Sequence, residues 1–139
     1  MNRRRVLAYV GGAVGLILLK LAGRDLFGHS AREDPAKTDA TARRLLAAIG
    51  PQESAAVLGD VVLAASSEPL TTAGIVSTLQ GRLAVSTKQL ETMPVDLLRR
   101  KIDGHVRAEH IAGDTLSVEG WELSVTEARL YALAALLRR

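Results

Sequence analysis

Residues 114–139 read DTLSVEGWELSVTEARLYALAALLRR and give the clearest structural signals in the chain. Apolar and polar side chains alternate on either side of a Glu-Gly pair at 119–120, which predicts a small β-hairpin. Ser124 and Glu127 then have the spacing of a capping box that opens a helix. Residues 130–137 of this helix carry no charge, and a helix that is apolar on all sides must be buried on most of them. We therefore expect either the central helix of a bundle or an element that docks into a partner.

The hairpin is expected to lie against the helices, because an isolated two-stranded hairpin is only marginally stable in water. Its single tryptophan is the predicted anchor. The same tryptophan and the last helix together form the predicted partner-binding surface, although each of these side chains also suits the core of the domain itself. The surface comprises Trp121, Leu130, Tyr131, Leu133 and Leu137.

Upstream of the hairpin, the sequence predicts a bundle of short helices. Asp and Pro at 34–35 supply an N-cap and a first-turn proline, and Gly and Pro at 50–51 end the helix that follows. Pro51 can open a second helix that directs Val57 inward among other apolar residues. The next helix is predicted to begin at Thr71 and to stop at Gly81. The fold class is thus mainly α, with a helical domain over residues 35–139.

The most clearly amphipathic helix is predicted from Pro94 to just before Gly113. His105 and Glu109 lie four residues apart on its apolar side, where they could relay a proton or supply two ligands to a metal ion. His110 points about 140° away from His105, so these two histidines cannot share a metal on one helix. The alternative is a pair near the helix end, where the helix dipole favours a charged histidine.

No other pattern in the sequence indicates catalysis. The chain of 139 residues has no cysteine, no phosphate-binding glycine loop and no recognisable serine-nucleophile motif. We therefore expect no catalytic residue, no cofactor and no resident metal, and the protein is not expected to be an enzyme acting alone.

The positive charge of the chain is concentrated at its start. Residues 1–24 contain five of the 18 basic side chains and none of the 15 acidic ones, so the remainder is slightly acidic. A nucleic-acid-binding domain needs a concentrated basic face, and one Trp, one Phe and two Tyr provide no stacking platform. We expect no nucleic-acid partner.

Residues 1–23 are predicted to be a membrane anchor or an uncleaved signal, followed by a juxtamembrane linker over residues 24–34. As a helix, residues 6–23 would be about 27 Å long, close to the thickness of a bilayer core. Basic residues before an apolar run stay in the cytoplasm, which predicts a single-pass inner-membrane protein with a periplasmic C-terminal domain. The membrane-associated residues are Arg3, Arg4, Arg5, Gly11, Gly15 and Lys20.

Two questions about this segment stay open: whether it is cleaved, and whether its glycines let two such helices pack together. A cleaved signal peptide competes with the anchor, and a cut after Ser30 would suit it, although no A-x-A site follows the apolar run. Gly11 and Gly15 have the GxxxG spacing that lets two membrane helices approach closely, but glycine is common in membrane helices in any case.

The start of the chain resembles the twin-arginine export signal, through Arg-Arg-Arg-Val-Leu at residues 3–7. Asn2 and Ala8 differ from the residues usual at those places in the signal. The resemblance implies export of an already folded protein, alone or with a cofactor-bearing partner. A basic start to a general secretory signal is the alternative.

The stretch EGWELSVTEARLYALAAL, within residues 113–137, is similar to the C-terminal part of small exported proteins of unknown function in Gram-negative bacteria. The resemblance implies a short signal or anchor joined to a helical domain, and it implies no activity. From the residues we expect a membrane-anchored accessory subunit that binds a larger partner protein at the periplasmic face. The alternatives are a cofactor-free subunit or export escort of a membrane-bound oxidoreductase and, third, a metal-dependent hydrolase built around His105 and Glu109.

Overall fold

The computed structural model describes residues 34–139, which form a mainly α-helical unit with one β-hairpin before the last helix. This confirms the predicted fold class of the domain. The elements are α1 (Pro35–Ala47), α2 (Gln52–Ala65), α3 (Thr72–Leu83), α4 (Thr87–Thr92), α5 (Val95–Ala112), β1 (Thr115–Val118), β2 (Trp121–Ser124) and α6 (Val125–Arg138). The predicted anchor with Arg3, Arg4, Arg5, Gly11, Gly15 and Lys20, and the predicted linker up to residue 33, lie outside the described residues.

Helix α6 lies at the centre of this unit. It packs along α2 and also contacts α1, α3, α5 and both strands of the hairpin. Its uncharged stretch is buried on several sides, with Leu130 and Leu133 among the most deeply buried side chains. Of the two expectations for this helix, the central position in the bundle is therefore confirmed.

The surrounding helices bury their apolar stripes in a common core, in which α1, α2, α3 and α5 contact α6 and α4 packs against α1. Leucines and isoleucines from four of them are fully or almost fully buried: Leu45, Leu46, Ile75, Leu79, Leu90, Leu98 and Ile102. The expectation for Val57 is wrong, because its side chain is 59% exposed. Helix α2 is rotated so that Ala55, Ala56, Gly59 and Val62 face inward instead.

Gly59 marks the closest approach between α2 and α6. A Cβ atom built on Gly59 would lie 1.8 Å from the Tyr131 carbonyl oxygen and 2.9 Å from the Ala135 Cβ atom. No side chain fits into that space, since real Cβ atoms keep much larger distances from other heavy atoms. The absence of a side chain at residue 59 is what lets the two helix backbones touch.

Helix α3 continues past Gly81, contrary to the predicted stop, and ends at Leu83. Ala84 adopts the left-handed conformation with φ of 52°. The Val85 N–H then donates to the Gln80 carbonyl at 3.0 Å, as in a Schellman motif. The helix thus continues two residues beyond Gly81 to Leu83, whose side chain is buried in the core, and ends at the left-handed Ala84.

This helix end provides a stability prediction. Replacing Ala84 by glycine is expected to raise the free energy of unfolding by about 1 kcal/mol, because glycine adopts the left-handed conformation without a Cβ clash. Gly81→Ala, at a helical position with nothing within 4 Å of the added Cβ, is expected to stabilise by a similar amount. Urea denaturation followed by circular dichroism measures both effects, and a lower midpoint for Ala84→Gly would contradict the observed helix end.

Candidate interaction site

One face of the hairpin is entirely apolar. The strands pair antiparallel, with Leu116 opposite Leu123 and Val118 opposite Trp121. Opposed residues share a face, as do residues two apart on a strand, so these four side chains lie together. The connecting residues at 119–120 both have positive φ, as the predicted two-residue turn requires.

The helices cover only one diagonal of this apolar face. Val118 and Leu123 are buried in the core, whereas Trp121 is 63% exposed and Leu116 is 43% exposed. The expectation that Trp121 anchors the hairpin is therefore wrong, and Val118 with Leu123 does so. The apolar face extends further than the helical surface beneath it, which leaves Trp121 and Leu116 in contact with solvent.

The structure separates the residues of the predicted partner-binding surface. Leu130 and Leu133 are buried in the core of the domain itself and are not accessible to a partner. Tyr131 and Leu137 are partly buried against that core. Trp121 is the one member of the set that is mostly exposed, and its neighbour Leu116, which sequence reasoning did not select, is exposed beside it. We call Trp121 and Leu116 the hairpin surface.

A cleft of about 300 Å³ opens beside the hairpin surface. It lies between the end of α2, the segment that follows it, β1 and α6. Its apolar walls include Leu116, and one charged side chain, that of Arg129, reaches it from α6. The lining residues are Val62, Ala65, Ser66, Ser67, Leu70, Leu116, Ser117, Val118, Ala128 and Arg129.

The most extensive polar cluster in the described part of the chain centres on Glu109, which is only 5% exposed. Its Oε1 atom accepts hydrogen bonds from Arg82 Nη1 at 2.7 Å and from the Thr126 hydroxyl at 2.8 Å. Its Oε2 atom accepts from the Thr126 N–H at 2.9 Å. Arg82 also donates to Asp114 at 2.8 Å, so the cluster joins α3, the end of α5 and the start of α6.

The Glu109 carboxylate works as a cap for α6. Thr126 is the second residue of that helix, and its N–H has no acceptor within the helix. A negative charge at a helix N-terminus is favourable, and Ser124 caps the next free N–H from within the chain. Burial by itself raises the pKa of Glu109, but the hydrogen bonds from Thr126, Ser124 and Arg82 outweigh it and lower that pKa below its ordinary value.

His105 lies where the sequence predicted, on the same side of α5 as Glu109. Its Nε2 atom is 3.1 Å from Glu109 Oε1, but the approach lacks hydrogen-bond geometry. Within residues 34–139, no three His, Cys, Asp or Glu side chains are grouped so that they could hold a metal ion. Since protein donors already occupy both oxygens of Glu109, the pair is better suited to a structural role than to metal binding.

This part of the fold also shifts the pKa values of two further side chains. The hydrogen bond to Asp114 is the main cause of the raised pKa of Arg82. Partial burial lowers this pKa, but the hydrogen bond to Glu109 raises it further, so the net shift is upward. Burial, followed by the charge of Glu127, raises the pKa of the Tyr131 phenol. His110, which the sequence placed away from His105, instead lies 3.0 Å from Glu127.

In the part of the chain that the structure describes, no single helix has the length and hydropathy needed to cross a membrane. Helices α1 and α2 meet these criteria only when taken together, and they are bent by 113° relative to each other.

Fold and site together define a small, mainly α-helical domain with an apolar hairpin beside its central helix. No protein-family model matches the chain, and no curated protein or solved structure shows significant similarity to it.

Proposed function

We propose that this protein is a membrane-anchored accessory subunit that binds a larger partner protein at the periplasmic face through its hairpin surface. The observation that carries the proposal is the 63% exposure of Trp121, the only tryptophan of the chain, next to the 43% exposure of Leu116. The basic and apolar start of the sequence supports the membrane location, since it has the charge order of an inner-membrane anchor.

An exposed tryptophan is a strong contact residue. Covering the exposed part of an indole ring contributes about 3 kcal/mol of binding free energy, and tryptophan is enriched among the residues that dominate interfaces. Its position on a paired strand fixes its backbone before binding, so only the conformational freedom of its side chain is lost when a partner binds. Confinement to a membrane would add a higher local concentration of the partner.

A more specific form of this role is a cofactor-free subunit or export escort of a membrane-bound oxidoreductase. The arginines at residues 3–5, followed by Val6 and Leu7, favour this form because a twin-arginine signal exports folded, cofactor-loaded proteins. It predicts that the partner carries a redox cofactor, which would be visible in the absorption spectrum of the purified complex.

The experiment compares two variants of the full-length chain, each purified in mild detergent from its native membrane. Trp121→Ser is expected to reduce recovery of a stoichiometric larger partner at least tenfold, because the main apolar contact is lost. Val57→Ser is the matched control, since Val57 is similarly exposed at 59% but lies on α2 rather than on the hairpin.

Two outcomes would contradict the proposal. Equal recovery of the partner with both variants would show that the hairpin surface is not the contact. Purification of the wild-type chain alone, or only with copies of itself, would remove the accessory-subunit role altogether.

A further inference from the structure

We propose that the cleft beside β1 binds a small amphiphilic carboxylate, with its alkyl chain between the apolar walls and its carboxylate at Arg129. This ligand site is separate from the protein contact proposed for Trp121, although Leu116 borders both.

The first observation is the state of the Arg129 side chain. Its Nε atom is buried and has no hydrogen-bond partner within residues 34–139, and no carboxylate in that range lies within 4.0 Å of its nitrogens. Two arginines of the domain use this atom: Nε of Arg44 donates to the Leu90 carbonyl, and Nε of Arg99 donates to the Ala48 carbonyl at 3.0 Å. Buried donors are normally paired, so the guanidinium of Arg129 has bonding capacity that the described residues leave unused.

The second observation is the chemistry of the cleft around it. Most of the lining is aliphatic, from residues such as Val62, Leu70 and Leu116. The Ser66 hydroxyl is already engaged, since it donates to the Glu68 carbonyl at 2.8 Å. A guanidinium matches a carboxylate as a two-pronged donor. Ser67 and Ser117 add two further hydroxyls to the lining, and Arg129 is its one charged residue. The site therefore fits a single negative charge on an apolar body.

The size of the cleft limits the ligand. A volume of about 300 Å³ is at the lower end for small-molecule sites. If each heavy atom takes about 30 Å³, the share of liquid volume that one water molecule occupies, the cleft holds about ten heavy atoms. An eight-carbon carboxylate has this size, whereas a long-chain lipid would extend far outside.

The test is photo-crosslinking of the detergent-purified full-length chain with octanoate that carries a diazirine, followed by mass spectrometry of the labelled peptides. Label is expected on peptides that line the cleft, within residues 62–70, 116–118 and 128–129. Competition with unlabelled octanoate should remove it, whereas octanol, which has the same chain but no charge, should compete at least tenfold less well.

Three variants sharpen the result. Arg129→Gln is expected to reduce labelling of the cleft about tenfold without lowering the thermal midpoint, because Arg129 has no hydrogen-bond or ion-pair partner to lose among residues 34–139. Arg100→Gln removes an exposed arginine of α5 and should leave labelling unchanged. Ala65→Phe fills the cleft from its exposed edge and should abolish labelling by the acid and the alcohol alike.

Unchanged labelling in Arg129→Gln, or equal competition by octanol and octanoate, would overturn the assignment. Labelling confined to peptides outside the cleft would do the same. Trp121→Ser is expected to retain the label, so loss of partner binding and loss of ligand binding can be told apart.

Discussion

Replacement of Gly59 by alanine is expected to destabilise the domain by about 3 kcal/mol or more, which is among the largest effects of a single methyl group. The added Cβ atom would lie 1.8 Å from the Tyr131 carbonyl oxygen and 2.5 Å from its carbon. Both are backbone atoms of the central helix, so no side-chain rotation relieves the clash. Helices α2 and α6 would have to separate, and their packing is the most extensive between any two described elements.

The measurement is chemical denaturation followed by circular dichroism. Fluorescence is the weaker probe, because the only tryptophan is exposed in the folded domain and its surroundings change little on unfolding. Gly104→Ala is the matched control: Gly104 also lies inside a helix, but nothing is within 4 Å of the added Cβ. That variant should be up to about 1 kcal/mol more stable than the wild type. If Gly59→Ala unfolded at the wild-type midpoint, the contact between α2 and α6 would not exist in solution.

Replacement of Glu109 by glutamine is expected to lower the free energy of unfolding by about 3 kcal/mol at neutral pH. The groups that hydrogen-bond to the carboxylate, from Arg82 and Thr126, act as donors. An amide in either orientation would turn its NH₂ group towards one of them and leave a buried donor without an acceptor. The hydrogen bonds from Thr126 and Ser124 lower the pKa of Glu109 more than the one from the partly exposed Arg82, so the carboxylate keeps most of its support in Arg82→Met. That variant should cost less than Glu109→Gln.

The same carboxylate gives the domain a defined response to acid. Because the pKa of Glu109 is lower in the folded state than its ordinary value of 4.5, its contribution to stability is complete above pH 4.5. That contribution is lost as the pH falls through the lower, folded pKa.

Denaturation curves between pH 7 and pH 3 test this response. The gap in stability between the wild type and Glu109→Gln is expected to narrow below pH 4.5. Glu91→Gln, at an exposed glutamate of α4, serves as a control that should follow the wild type throughout. A gap that stays constant with pH would show that the ionised form of Glu109 is not what supports the fold.

Features encoded within a few residues could be predicted from the sequence. The capping box of Ser124 with Glu127 forms, and the turn at 119–120 has its expected left-handed residues. In each case the interacting groups are three or fewer residues apart, so local chemistry alone determines the geometry.

Features that depend on distant parts of the chain could not be predicted. Gly59 looks like an isolated glycine, and its importance appears only when Tyr131 is brought against it. The proximity of His105 and Glu109 followed from helix periodicity, but the partners from other elements, Arg82 and Thr126, did not. For Trp121, the alternation of apolar and polar residues predicted the correct face of the hairpin. It could not predict how far the supporting helices extend beneath that face.

The central position of α6 has a consequence for biosynthesis. Helices made earlier have no core to close around until the residues of α6 have left the ribosome. The chain between the ends of α2 and α6, residues 66–138, takes about 4–15 s to synthesise at about 5–20 residues per second. During that interval the face of α2 with Ala55, Ala56 and Val62 is without its partner helix. The nascent chain should therefore be a chaperone client for several seconds before it becomes a folded domain.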